Sequence, residues 1–187
     1  MNGKKYYIET YGCQMNEADS ELVAGLLQQA HYQPTTVPEY ASVILVNSCS
    51  VRENADRRAI ARLSQFKNLK MNRPDLVLGI LGCVAQRDRG KILAERKYID
   101  LVLGPDAYRD LPEILEQCRT PYFDVNLSRT EVYDDLIPFR KSAVNAWVSI
   151  MRGCNKFCTF CIVPYLRGRE RSRPPDSIVA EIRQALK

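Results

Sequence analysis

The chain has 187 residues, 45% hydrophobic and 26% charged, and its 27 Lys and Arg outnumber 22 Asp and Glu for a net charge of +5. That composition excludes a disordered or low-complexity polypeptide, and the small positive excess is compatible with nucleic acid without establishing it. The stretch Met1 to Tyr6 lacks the apolar core of a secretory leader, and the longest uncharged apolar run, Leu76 to Ala85, is too short to span a bilayer. A cytoplasmic protein with no membrane partner is the expectation.

In chain order, Tyr6 to Thr10 is aromatic and β-branched and predicts a strand. Asn16 follows as the expected cap of a helix whose Leu22, Val23, Leu26, Leu27 and Ala30 share one face. Val43 to Val46 reads as a strand buried on both faces, and Ala55, Ala59, Ile60, Leu63 and Phe66 line a second helix. Leu76 to Leu81 predicts a third strand, Gln86 to Arg96 a helix, Leu101 to Gly104 a fourth strand, and Tyr108 to Cys118 a helix. Strands alternating with helices imply a parallel α/β sheet. From Pro121 to Ser142 the pattern weakens to a loop-rich linker. A new strand is expected at Ala146 to Ile150, and a last helix at Asp176 to Leu186.

Seven cysteines and no export signal point to reduced thiols rather than disulfides. Cys13, Cys49 and Cys83 each follow a predicted strand, and successive members are one βαβ repeat apart. That spacing puts all three at the carboxyl edge of the sheet, where open α/β folds bind ligands. Gly12 and Gly82 precede two of them and are expected to let the backbone approach a bulky cofactor. The competing reading is three unrelated buried thiols. Cys154, Cys158 and Cys161 form a C-x3-C-x2-C cluster with no fourth Cys or nearby His. Three thiolates can hold three irons of a four-iron cluster and leave one open, whereas structural zinc takes four ligands. Zinc or a redox thiol pair is the alternative here. Cys118 fits no motif and reads as a helix thiol; His31, the single His, reads as a surface residue, so no His-based triad exists.

Arg167, Arg169, Arg171 and Arg173 alternate through a polar loop. They are read either as solvated or as contacts to RNA or to a cofactor carboxylate. Arg52, Arg57, Arg58, Arg62, Lys67, Lys70 and Arg73 are expected to form a solvated helix face.

The stretch Arg152 to Pro174, with Phe160 just before the last Cys of the cluster, resembles the methylthiotransferase branch of the radical S-adenosylmethionine superfamily. Tyr11 to Asn16, Asn47 to Arg52 and Gly82 to Gln86 are similar to that family's three N-terminal cysteine motifs, and the wording around Cys13 is closest to its tRNA-modifying members. The resemblance implies a fold class of α/β: a flavodoxin-like, doubly wound N-terminal domain over 4–120, a linker over 121–142, and the first β–α unit of a truncated radical SAM partial barrel over 143–187. It implies two [4Fe–4S] clusters, an auxiliary one on Cys13, Cys49 and Cys83 and a second on Cys154, Cys158 and Cys161. It also implies S-adenosyl-L-methionine bound at the second cluster, with Phe160 against its adenine. The implied reaction is methylthiolation at C2 of N6-isopentenyladenosine beside the tRNA anticodon. The implied partners are that tRNA and a flavodoxin, ferredoxin or reductase as electron donor, with the chain a monomer. A threonylcarbamoyl-adenosine tRNA, a ribosomal protein, or a non-catalytic iron–sulfur or RNA-binding module are the alternatives. Because the chain supplies one barrel unit, the segment after Trp147 is expected to be mobile or loosely docked.

Overall fold

A computed structural model describes residues 3–51, 53–117, 120–140 and 144–186. The positions of Arg52 and Cys118 lie outside the described residues. The first part of the chain runs β1 (Lys5–Tyr11), α1 (Gln14–Gln29), β2 (Gln33–Pro34), β3 (Val43–Ser48), α2 (Glu53–Asn72), β4 (Val77–Gly82), α3 (Cys83–Asp88), α4 (Lys91–Glu95), β5 (Leu101–Leu103), α5 (Leu111–Glu116) and β6 (Tyr122–Asp124). The six strands form one sheet in the order β2-β1-β3-β4-β5-β6, with every pair parallel. The direction of winding reverses at β1, so the β1/β3 boundary is the switch point of a flavodoxin-like sheet.

Alternation along the strands divides the core into two layers. Val43 and Leu45 face one layer with Leu22, Val23 and Leu27 of α1 and Leu111 and Ile114 of α5. Ile44 and Val46 face the other, with Ala59, Leu63 and Phe66 of α2, Val84 of α3 and Ile92 of α4. Burying each such Leu or Ile side chain contributes about 1.5–3 kcal/mol. This is why the apolar runs without polar interruptions in the sequence became central strands.

Several expected elements differ in detail. The helix expected over Gln86 to Arg96 is two short ones, broken where Arg89 takes a left-handed φ of 50° before Gly90. The helix expected from Tyr108 starts at Leu111, with a proline in its first turn, because Tyr108 is instead buried and stacked on Tyr133. Within the stretch expected as linker, Tyr122–Asp124 is a strand of the sheet, tied to β5 through Tyr122 N–H to Asp100 O and Gly104 N–H to Asp124 O, both 2.8 Å. Three residues are too few to show an alternation.

The rest of that stretch is strapped to the domain. Tyr133 is buried, accepts from Tyr108 N–H at 3.1 Å and donates to Pro105 O at 3.1 Å. Beyond it come β7 (Met151–Arg152), α6 (Val163–Arg167), β8 (Arg171–Ser172) and α7 (Pro175–Ala185), with β7 and β8 antiparallel. The strand expected at Ala146 to Ile150 is irregular, and the pairing begins at Met151. A strand needs a neighbour to satisfy its N–H and C=O groups; β8 pairs with Met151 and Arg152, and before them Ile150 O accepts from Arg173 N–H at 3.0 Å.

The second segment is not loosely docked. Arg152 inserts between α1 and the loop after β5: Nη1 lies 2.8 Å from Asp19 Oδ1, Nη2 donates to Pro105 O at 2.8 Å, and the guanidinium covers the Tyr133 ring. Arg171 pairs with Asp106 at 2.8 Å, and Arg167 with Asp19 at 2.8 Å. Arg140 bridges Glu21 and Glu181, and Glu181 also pairs with Arg173. Arg167, Arg171 and Arg173 are buried, so the solvated reading falls for these three. Burying a charge without a partner is prohibitive, and each of these guanidiniums has found a carboxylate on another element. Arg169 alone of the four faces outward, over the Phe157 ring at 4.3 Å.

Part of the basic run on α2 also finds partners. Arg58 covers Tyr11, Arg62 covers Phe66 and pairs with Glu9 at 2.7 Å, Lys67 covers Tyr98, and Lys70 pairs with Asp100 at 2.8 Å. Arg57, Arg58 and Lys67 are exposed as expected of a solvated face, while the Arg62–Glu9 and Lys70–Asp100 pairs tie the helix to β1 and to the turn before β5.

Candidate metal centre

In register, Tyr11 of β1, Ser48 of β3 and Gly82 of β4 form one row across the carboxyl edge of the sheet. Cys49 and Cys83 stand one residue past that row and Cys13 two. Cys49 N–H continues the ladder to Tyr11 O at 2.8 Å. Three thiols separated by some thirty residues each are thereby brought to one edge by strand pairing.

Cys13 occupies the cap position of α1, not Asn16 as the sequence suggested. Asn16 lies one turn in and reaches back, its Oδ1 accepting from Cys13 N–H and from Cys13 Sγ, each at 3.4 Å. It is fully buried, and its Nδ2 donates to Asn47 Oδ1 at 3.0 Å. Asn47 Nδ2 donates in turn to Asn16 O and Ser20 Oγ, both at 3.0 Å, and Ser20 meets Thr10 at 2.8 Å. This chain of amides ties the end of β1, the start of α1 and the end of β3 together. Sequence reasoning missed it, although a polar Asn47 inside the apolar run of β3 was the available signal.

The two glycines serve this network. Gly82 has φ of 86°, and a Cβ there would run into Asn47 Oδ1; a Cβ on Gly12 would run into Asn16 Oδ1 and lie 2.8 Å from Cys49 Cβ. The room they leave is filled by the protein's own amides, not held open for a cofactor.

The three thiols line a cavity of about 240 Å³. Its other walls come from Met15 and Val51 and, across the segment boundary, from Met151, Gly153, Val163, Leu166 and Arg167. Cys49 and Cys83 are buried and Cys13 half-buried. The Cys13 thiol is pushed down to about 5: a hydrogen bond from Cys49 is the largest cause, burial opposes it, and the N–H groups of Asn16 and Met15 and the Arg167 charge add to it. Ready ionisation is what a metal-ligating thiol needs. Among the described residues no three His, Cys, Asp or Glu close to the geometry of a single metal ion. Three thiols spread around an apolar cavity with one cation in its wall fit a cluster that brings its own sulfides better than a lone zinc. Two larger clefts of about 580 Å³ flank β1 and hold no thiol.

Cys154, Cys158 and Cys161 lie on one loop between β7 and α6. Cys154 N–H donates to Gly168 O at 3.1 Å and Cys161 N–H to Cys158 O at 2.9 Å. Cys158 is exposed and the other two half-buried. Phe157, with a left-handed φ of 46°, is held edge-on to Tyr165 and beneath Arg169, a clamp the sequence did not reveal. Phe160 is 92% exposed.

A flavodoxin-like sheet carrying three thiols at its switch-point edge, joined to a C-x3-C-x2-C loop, defines an α/β protein with the start of a radical SAM segment. Residues 5–104 match the family described as "Uncharacterized protein family UPF0004", and residues 148–187 match the Radical SAM superfamily. The chain belongs to the first of these families. It is 50% identical over 182 residues to the tRNA-2-methylthio-N(6)-dimethylallyladenosine synthase of Amoebophilus asiaticus, covering 95% of this chain and 37% of that protein. It is 46% identical to the protein of the same name from Anoxybacillus flavithermus, with 97% of this chain and 36% of that one covered. With the Chloroherpeton thalassium protein of that name it shares 47% identity, over 96% of this chain and 40% of that one. The chain thus spans a little over a third of the length of these relatives. Among the described residues no helix is long and apolar enough to cross a membrane.

Proposed function

We propose that the chain forms the N-terminal part of a tRNA methylthiotransferase acting at C2 of an N6-isopentenyl (dimethylallyl) adenosine beside the anticodon. The observation that carries this reading is the shared cavity. Cys13, Cys49 and Cys83 of the sheet meet Met151, Gly153 and Arg167 of the radical SAM segment around one space. A site built to deliver sulfur to a radical-activated carbon needs that adjacency, because a sulfur donor and a radical source act on one atom.

In this reading Cys13, Cys49 and Cys83 hold one [4Fe–4S] cluster, Cys154, Cys158 and Cys161 hold the other with S-adenosyl-L-methionine, and Phe160 lies against the adenine. The bound groups supply the radical and sulfur chemistry. The chain's own residues fix the ligands and keep water out. Asn16 and Asn47 set the positions of the Cys13 and Cys49 loops. Met15, Val51, Met151, Val163 and Leu166 give the auxiliary cavity its dry walls. The open surroundings of Cys158 and Phe160 leave the S-adenosylmethionine side to be enclosed by polypeptide beyond this stretch. A reduced intracellular compartment, an external electron donor and a tRNA partner complete the proposal.

Anaerobic reconstitution with iron and sulfide tests it. Binding close to eight irons per chain, four on each cysteine set, is expected. Stoichiometric zinc without brown iron–sulfur absorption would overturn it. In a polypeptide of the relatives' full length, Cys49→Ala should abolish methylthiolated tRNA while cleavage of S-adenosylmethionine persists.

A further inference from the structure

Arg167 belongs to α6, yet it forms part of the wall of the cavity lined by Cys13, Cys49 and Cys83. Its side chain is buried, with 7% of its surface exposed. Nη2 stands 2.8 Å from Asp19 Oδ2 as an ion pair. Nη1 has no hydrogen-bond acceptor, and the one oxygen close to Nη2 is that of Asp19. The other buried guanidiniums in this region leave only an Nε without an acceptor and place Nη groups on acceptors: Arg152 donates to Asp19 and Pro105, Arg171 to Asp106 and Arg167 O, Arg173 to Ser149 O and Glu181. Buried donors without acceptors are rare and costly, and a group held in the adjoining cavity would supply the acceptor.

We infer that Arg167 is a positioning and charge-tuning residue for the group held by Cys13, Cys49 and Cys83, donating toward its sulfurs and favouring its more negative, reduced state. The inference rests on the reading that those three thiols hold an iron–sulfur cluster. Reduction adds one electron to the cavity, and a guanidinium in its wall stabilises that charge through a poorly screening interior. Asp19 partly cancels the same field from behind. Because Arg167 comes from the radical SAM segment, the potential of the upstream group would then depend on the docking of the two segments.

The test uses this chain with Cys154, Cys158 and Cys161 changed to Ala, so that one cluster remains, and a redox titration followed by electron paramagnetic resonance. Arg167→Gln is expected to lower the midpoint. At a fixed potential the ratio of reduced to oxidised cluster should fall about tenfold or more, tenfold being about 59 mV for one electron. Asp19→Asn, which removes the opposing charge, should move the midpoint the other way, and Arg167→Lys should stay near the parent. A role confined to packing would give no such opposed pair. If Arg167→Gln holds no cluster, the Asp19→Asn shift alone decides. Unmoved midpoints, or shifts of one sign in both, overturn the inference while leaving the metal site standing. Failure of the parent to take up iron overturns both.

Discussion

The two cysteine sets of this chain are built in opposite ways. Cys154, Cys158 and Cys161 are neighbours in sequence and sit on a loop with Cys158 and Phe160 open to solvent. Cys13, Cys49 and Cys83 are distant in sequence, and the parallel register of β1, β3 and β4 together with the Asn16–Asn47 amides assembles them in a half-closed cavity. A local motif can bind a cofactor before anything around it is complete. A motif spread over three strand ends exists only if the sheet is folded. The first set is therefore tolerant of changes in the fold, and the second should be sensitive to them.

The largest expected effect separates the sets outright. Cys83→Ala should cut bound iron from about eight to about four per chain, with the remaining signal belonging to the downstream loop. Iron that stays near eight would mean that the three strand-end thiols are structural. Next comes the joint between the segments. Arg152→Met leaves Asp19 and Asp106 buried with fewer partners, and removing one member of a buried pair costs about 3–5 kcal/mol. A urea midpoint that barely moves would show that docking does not depend on this arginine.

Smaller, and directed at the upstream site, is Asn47→Ala. It leaves Asn16 Nδ2 without its buried acceptor and takes one of two partners from Ser20, at a cost of about 1–3 kcal/mol. It should also loosen iron at Cys13, Cys49 and Cys83 and leave the downstream loop unaffected, as separate spectra of the two clusters would reveal.

Acid gives a graded test. Burial works to raise the Asp19 carboxyl, but the Arg152 and Arg167 guanidiniums outweigh it and hold the group below the ordinary carboxylate value. A depressed folded-state value means stability that is fully present above about pH 4 and lost as pH falls further. Trp147 is the single tryptophan, and its carbonyl accepts from Arg140 in the same joint. Its emission should shift below pH 4, and the shift should vanish in Asp19→Asn. At the small end, Phe160→Ala should change stability by less than about 0.5 kcal/mol, because an almost fully exposed ring has no packing to lose.

The sequence by itself determined the parallel α/β class, the four main strands and the six ligand candidates. Unbroken apolar runs suit only strands covered on both faces, and a cysteine after each of three strands must fall at one sheet edge. The tertiary structure alone decided the rest. β2 and β6 are too short to carry a pattern, and their register comes from β1 and β5. Asn16 and Asn47 are ordinary polar residues until strand pairing puts them face to face. Arg167 and Arg171 read as part of a basic loop because their carboxylates, Asp19 and Asp106, lie more than sixty residues earlier. A charge is buried or solvated according to what it meets, and that is a property of the folded arrangement rather than of the residue type.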